Sequence, residues 1–132
     1  MTKEQEYQIL VDLCGRLPYG NTEVMLETRC ITQDGKVLEA TKDVPQALSL
    51  DHIKFLQGNR PYSIDHWVSI KPILRPMSSM TMEEEILYSK TFEDFNGVSM
   101  PTIKTFEWLN KYNFDYRDLI KLELAYPDTH YL

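Results

Sequence analysis

The residue types best suited to chemistry in this chain are three histidines (His52, His66 and His130), two cysteines (Cys14 and Cys30) and the glutamate run Glu83-Glu84-Glu85. Asp51-His52 and Asp65-His66 are acid–imidazole dipeptides of the kind that can ligate a metal once folding converges them. Neighbouring residues on a strand point to opposite faces, however, so neither dipeptide is a ready chelate. His-x-x-x-His and Cys-x-x-Cys spacings are missing. Nucleophilic catalysis has no Gly-x-Ser-x-Gly elbow to start from, and Cys14 and Cys30 sit on the apolar phases of a helix and a strand, which predicts reduced, buried thiols. Consecutive helical residues fan out by about 100°, so the three glutamates read as helix-start electrostatics. The five glycines are scattered and build no phosphate-binding loop. No catalytic, cofactor-binding or metal-ligating residue is therefore assigned.

Recognition has more to work with. Lys54, Arg60, His66, Lys71 and Arg75, interleaved with Phe55, Tyr62 and Trp67, form a basic and aromatic region that can stack on bases and touch phosphates. The competing reading places Phe55 and Trp67 in the core with the basic groups at its rim. Eight tyrosines and two tryptophans supply the polar-tipped aromatics that dominate interface hot spots, and the tail from Tyr126 through Tyr131 to Leu132 is either packed back or offered to a partner. Arg75, Trp67, Tyr62 and Tyr131 are the partner-binding candidates.

The elements that must position these residues begin with a capping box, Thr2 with Gln5, ahead of Ile9, Leu10, Leu13, Cys14 and Leu17 at helical spacing. That helix ends before Pro18. Thr22 to Ile31 alternates with period two, and Asp34-Gly35 supplies a hairpin turn into a second strand, Lys36 to Thr41. Ala47 to Leu50 and Ile53 to Leu56 read as two short strands or one bent strand, and Ser63 to Leu74, restricted by Pro72 and Pro76, as an edge strand, a short helical turn or extended chain. Thr81 with Glu84 is a second capping box, predicting a helix from about Met82 to Thr91, with Glu93 to Met100 a loop. Ile103, Phe106 and Leu109 mark a third helix, and Asp115 caps a fourth. Segregated elements predict an α+β fold: an N-terminal helix, a small antiparallel sheet that could curl into a barrel, then C-terminal helices.

At 132 residues with 42% hydrophobic content, the chain reads as one domain, 1–132, able to bury a core without disulfide or metal. A net charge of −6 opposes general affinity for nucleic acid and anionic lipid. Two cysteines, an N-terminus without a signal-peptide pattern and no long apolar run predict a cytoplasmic protein without membrane insertion.

Three blocks carry a resemblance: Leu13-Cys14-Gly15-Arg16-Leu17-Pro18-Tyr19-Gly20, Lys71-Pro72-Ile73-Leu74-Arg75-Pro76-Met77-Ser78-Ser79-Met80-Thr81, and Trp108-Leu109-Asn110 with Phe114-Asp115-Tyr116-Arg117-Asp118-Leu119-Ile120. Together they resemble a group of small uncharacterised proteins of gut bacteria and their phages or prophages. The resemblance implies kinship and brings no activity, so no residue role is carried over from it. Between the second and third blocks this chain has a longer segment, around Glu93 to Met100.

The leading expectation is a noncatalytic protein-interaction module of phage, prophage or mobile-element type, acting through a sheet edge, the Arg75 to Met80 loop or the C-terminal tail. Its partner is an unidentified protein, with association of identical copies left open. A small nucleic-acid-binding barrel and a hydrolase or nuclease with an unfamiliar site are the alternatives. A cleft in which titratable groups converge would favour the last.

Overall fold

The computed structural model describes residues 1–31, 37–59 and 67–131. Helix α1 (Lys3–Arg16) starts at Thr2, whose hydroxyl accepts from the Gln5 amide while the Gln5 side chain accepts from the Thr2 amide, as the capping box requires. It passes into a short 3-10 turn, Leu17–Tyr19, and Gly20 then turns the chain with φ of 68°.

Strand β1 (Glu23–Ile31) pairs antiparallel with β2 (Val37–Ala47), the predicted hairpin partner, although the Asp34-Gly35 turn lies outside the described residues. β2 runs on past Thr41 to Ala47, and it tolerates Pro45 because it is an edge strand. On its other side β1 pairs antiparallel with β3 (Trp67–Leu74), and β3 pairs in parallel with the two-residue β6 (Tyr126–Pro127). The sheet is thus mixed and open, in the order β2-β1-β3-β6, and does not curl into a barrel. Its parallel pair arises because the tail returns along β3 from a distant part of the chain.

Three further expectations are corrected. The segment read as short strands is largely helix α2 (Leu50–Leu56), which turns His52, Ile53 and Phe55 inward. Glu93 to Met100 is a hairpin, β4 (Glu93–Phe95) and β5 (Val98–Met100), turned by Asn96 and Gly97 with φ of 53° and 83°. Positive φ at both central residues is the condition of the twist-compatible hairpin turn. The fourth helix is replaced by turns: the Asp115 carboxylate accepts from the amides of Leu119 (2.9 Å) and Ile120 (3.0 Å), four and five residues on, and Asp118 and Glu123 adopt positive φ. A helix N-cap bonds two or three residues on, so this geometry closes a wider loop.

Helices α3 (Met82–Lys90) and α4 (Ile103–Lys111) match their predicted positions. The core joins Ile9 and Leu13 of α1, Val24 and Leu26 of β1, Ile53 and Phe55 of α2, Ile70 and Leu74 of β3, and Leu119, Leu124 and Ala125 from the turns. Cys14 lies on the exposed side of α1, contrary to expectation, while the Cys30 side chain lies outside the described residues. Gly15 lets α1 approach α4, since a Cβ there would come within 3.2 Å of the Asn110 side-chain nitrogen, Nδ2.

At α3 the Thr81 hydroxyl accepts from the Glu84 amide (3.2 Å), and Glu84 Oε1 accepts from the Thr81 amide (3.0 Å). Thr81→Ala is expected to lower the unfolding free energy by about 0.5 to 2 kcal/mol, read as a shifted urea midpoint at unchanged slope. An unchanged midpoint would show the cap to be dispensable.

Candidate functional site

Arg75 sits at the end of β3, where the chain leaves the sheet. Its amide donates to Asn113 O and its carbonyl accepts from the Asp115 amide, both at 2.8 Å, so the backbone is tied to the segment after α4. The guanidinium donates to both Glu84 oxygens (2.7 and 2.8 Å) and to Ser79 O (3.3 Å). It lies between the rings of Phe114 and Tyr131, 4.2 and 3.8 Å from their centroids. Arg75 is buried, with only 7% of its side chain exposed, and acts as a clamp. It closes the Leu74 to Thr81 connection, holds the first turn of α3, and pins the tail beneath Tyr131. The tail is therefore docked through residue 131.

The clamp sets a pH dependence. Paired mainly by the Arg75 hydrogen bonds, the Glu84 carboxyl is held down at about 2 from an ordinary 4.5. A carboxyl depressed on folding stabilises the protein fully above its unfolded value and loses that contribution as pH falls from about 4.5 towards 2. The stability gap between wild type and Glu84→Gln is expected to be wide at neutral pH and to narrow across that acid window in urea titrations. A gap independent of pH would show that charge plays no part.

Trp67, a second candidate, stacks on His52 (5.1 Å between centroids, 20° between planes) and tilts against Phe55 (5.8 Å). His52 Nδ1 accepts from the Ser49 amide (2.9 Å), which leaves Nε2–H to donate to Gln46 Oε1 (3.1 Å). Burial lowers the pKa of His52 against the opposing pull of Asp51. Trp67 thus packs at the core margin over a neutral histidine. Tyr62, Arg60 and His66 lie outside the described residues. Among the described residues no group of histidine, cysteine and carboxylate side chains has the geometry to hold a metal ion.

Titratable groups converge in two clefts: in one of about 450 Å³ Glu23, Lys111, Asp128 and His130 meet Arg75 and Tyr131, and in another of about 460 Å³ Glu6, Glu27, Lys71 and Glu123 surround Ser69, whose hydroxyl donates to Glu27 Oε2 (2.8 Å). The polar walls of the first are largely committed to joining elements. Asn113 Nδ2 donates to Asn21 O (2.7 Å), Asn21 Nδ2 donates to Lys111 O (3.1 Å), the Thr22 hydroxyl donates to Asn113 Oδ1, and Asp128 accepts from the His130 amide (3.0 Å). Neither serine nor cysteine lines the first cleft among the described residues.

The more unusual surface lies on α3, the hairpin and the start of α4. Helix α3 buries none of its residues, and Met82 (78% exposed), Ile86 and Leu87 stand in solvent. In the hairpin register Phe95 pairs with Val98 and Glu93 with Met100, which places Phe95, Val98 and Met100 on one face. They are 69, 57 and 48% exposed. Ile103 and Phe106 of α4 are exposed too. A two-stranded hairpin is marginal in water without something against its apolar face. Yet the unit is well anchored: Arg75 holds the start of α3, Tyr88 packs on Trp108 (5.7 Å) and Phe92 (5.1 Å), and the hydroxyls of Thr102 and Thr105 donate to Thr91 O. Trp108 in turn stacks on buried Phe114 (5.4 Å, 11°). Apolar side chains are held out on a scaffold fixed from behind.

Sequence reasoning placed the interaction surface elsewhere. A usable signal was present in Phe95-Asn96-Gly97-Val98, two apolar residues flanking the strongest hairpin dipeptide. Comparisons with family models, with curated proteins and with solved structures give no match for this chain. Among the described residues no helix is long and apolar enough to cross a membrane.

Proposed function

We propose that this chain is a noncatalytic protein-interaction module that docks its partner on the apolar surface formed by α3, the β4–β5 hairpin and the start of α4. The observation that carries the reading is the combination of Phe95, Val98 and Met100 on one uncovered hairpin face with a neighbouring helix that buries nothing. Exposed apolar side chains grouped on one face, as in the β4–β5 hairpin, mark an interaction site more than singly scattered ones do. Arg75 serves this surface by positioning α3, and Tyr131 by covering Arg75. The nucleic-acid reading is weakened because Arg75 is spent inside the fold. A cytoplasmic, phage or prophage setting belongs to the same proposal and rests on composition and on the three resembling blocks.

The test is the paired substitution Phe95→Ser with Ile103→Ser, at exposed positions where the stability change is expected within about 0.5 kcal/mol. Wild type immobilised in lysate of its native host is expected to retain a protein that this variant releases. Retention of the same proteins by both, with both folded, would overturn the docking surface.

A further inference from the structure

We infer that the partner presented to this surface is a basic amphipathic segment, with apolar anchors flanked by lysine or arginine, and not a second copy of this chain. The inference rests on the docking surface proposed above and adds its charge. Exposed Glu83 and Glu85 lie on the first turn of α3, and Glu93 and Asp94 on β4. The hairpin register puts Glu93 on the same face as Phe95, Val98 and Met100, so one carboxylate lies within the apolar face itself. Lys90 and Lys104 are the only lysines or arginines between Met82 and Phe106, against those four carboxylates. Glu84 is already neutralised by Arg75 and does not contribute.

Complementarity then selects the partner. An apolar anchor seated here brings its flanking residues beside carboxylates, where cations are favoured and like charges cost several kcal/mol. A symmetric pair of copies would set each acidic margin against another through the same patch. An anionic lipid surface is opposed by the same charges. The anchors that receive the segment include the methionines Met82 and Met100, whose unbranched, polarizable side chains adapt to varied apolar shapes. An amphipathic helix laid in such a setting uses residues spaced by one turn as anchors.

Two synthetic helical probes of about 18 residues, five turns long, make the test. Both carry the same leucine stripe, one flanked by lysine and the other by glutamate. Titrated into the full chain and followed by anisotropy and amide NMR shifts, the lysine probe is expected to bind about tenfold more tightly at low salt, with shifts concentrated in residues 82–106. Raising the salt should shrink that preference. The variant Glu83→Gln, Glu85→Gln, Glu93→Gln, Asp94→Asn should lose the preference while still binding through leucine, and Phe95→Ser with Ile103→Ser should weaken both probes. Equal binding of the two probes at residues 82–106 overturns the charge selection and leaves the docking surface standing. Self-association abolished by Phe95→Ser with Ile103→Ser assigns the surface to a second copy, and binding to phosphatidylcholine vesicles abolished by the same change assigns it to lipid. Either result overturns the basic partner. Binding of neither probe, with host-protein retention insensitive to Phe95→Ser and Ile103→Ser, removes both the partner and the surface.

Discussion

Asp12→Ala is expected to lower the unfolding free energy by about 3 to 5 kcal/mol, the cost of leaving one member of a buried ion pair without its counter-charge. Asp12 and Arg16 face each other one turn apart on α1, both side chains fully buried, with Arg16 Nε and Nη2 donating to the two carboxylate oxygens at 2.8 and 3.0 Å. Arg16 Nη2 also donates to Phe114 O (2.7 Å), and the guanidinium lies 5.4 Å from the Tyr116 ring. Arg117, partly exposed and 3.9 Å from Asp12, is a second cation beside the carboxylate and cannot replace its negative charge for Arg16. With Asp12 removed, a guanidinium would remain in the core with Phe114 O as its principal acceptor. One Arg16 nitrogen, Nη1, already has no hydrogen-bond partner among the described residues. The pair joins α1 to the turns after α4, so its loss is expected to loosen both. Replacing both residues by apolar ones of similar volume, Asp12→Leu with Arg16→Met, should recover much of the loss, because neither charge then needs desolvation. Urea unfolding of the single and double variants checks this. A single variant as stable as wild type, or a double variant less stable than Asp12→Ala, would contradict the account.

Arg75→Ala is the second large effect, about 3 kcal/mol, at the low end for a buried pair because the Glu84 side chain remains 21% exposed and can rehydrate. In a chain of this length that corresponds to a melting shift of roughly 10 °C. Three contacts fail together: the two-pronged bond to Glu84, the bond to Ser79 O, and the stacking between Phe114 and Tyr131. Arg75→Lys keeps the charge but not the planar fork, so it should recover less than half of the loss. The consequence reaches the proposed docking surface, since α3 loses the hold on its first turn. Hydrogen exchange should quicken in α3 and in the tail before it quickens in β1. Uniform loss of protection across the chain would show that Arg75 acts on global stability alone.

These two arginines divide legible from illegible. Asp12 and Arg16 are separated by one helical turn, and Thr81 and Glu84 by a capping-box spacing, so their pairings follow from the chain within a few residues. The same holds for the alternation that buries Val24 and Leu26 of β1. Arg75 is different. Remote Phe114 helps to bury both arginines, but the carboxylate partner of Arg75 also lies on another element, α3, and Tyr131 reaches it from the tail. Read locally, an arginine between prolines looks like a loop residue free for a partner.

The misread segments have comparable causes. Leu50 to Leu56 is short and sets β-branched Ile53 and aromatic Phe55 among helix formers, so its period is ambiguous until α1 packs against it and α2 settles with Ile53 and Phe55 inward. The β4–β5 strands are too short to display an alternation, and the hairpin rests on two residues with positive φ.

Short-range physics in the sequence thus determined the α+β class, the starts of α1 and α3, and the pairing of β1 with β2, because caps and alternation act between near neighbours. Tertiary structure alone decided which apolar residues remain outside. Met82, Ile86 and Phe95 have the composition of core residues, and only the absence of a packing element over them, among the described residues, turns them into a surface that another chain can cover.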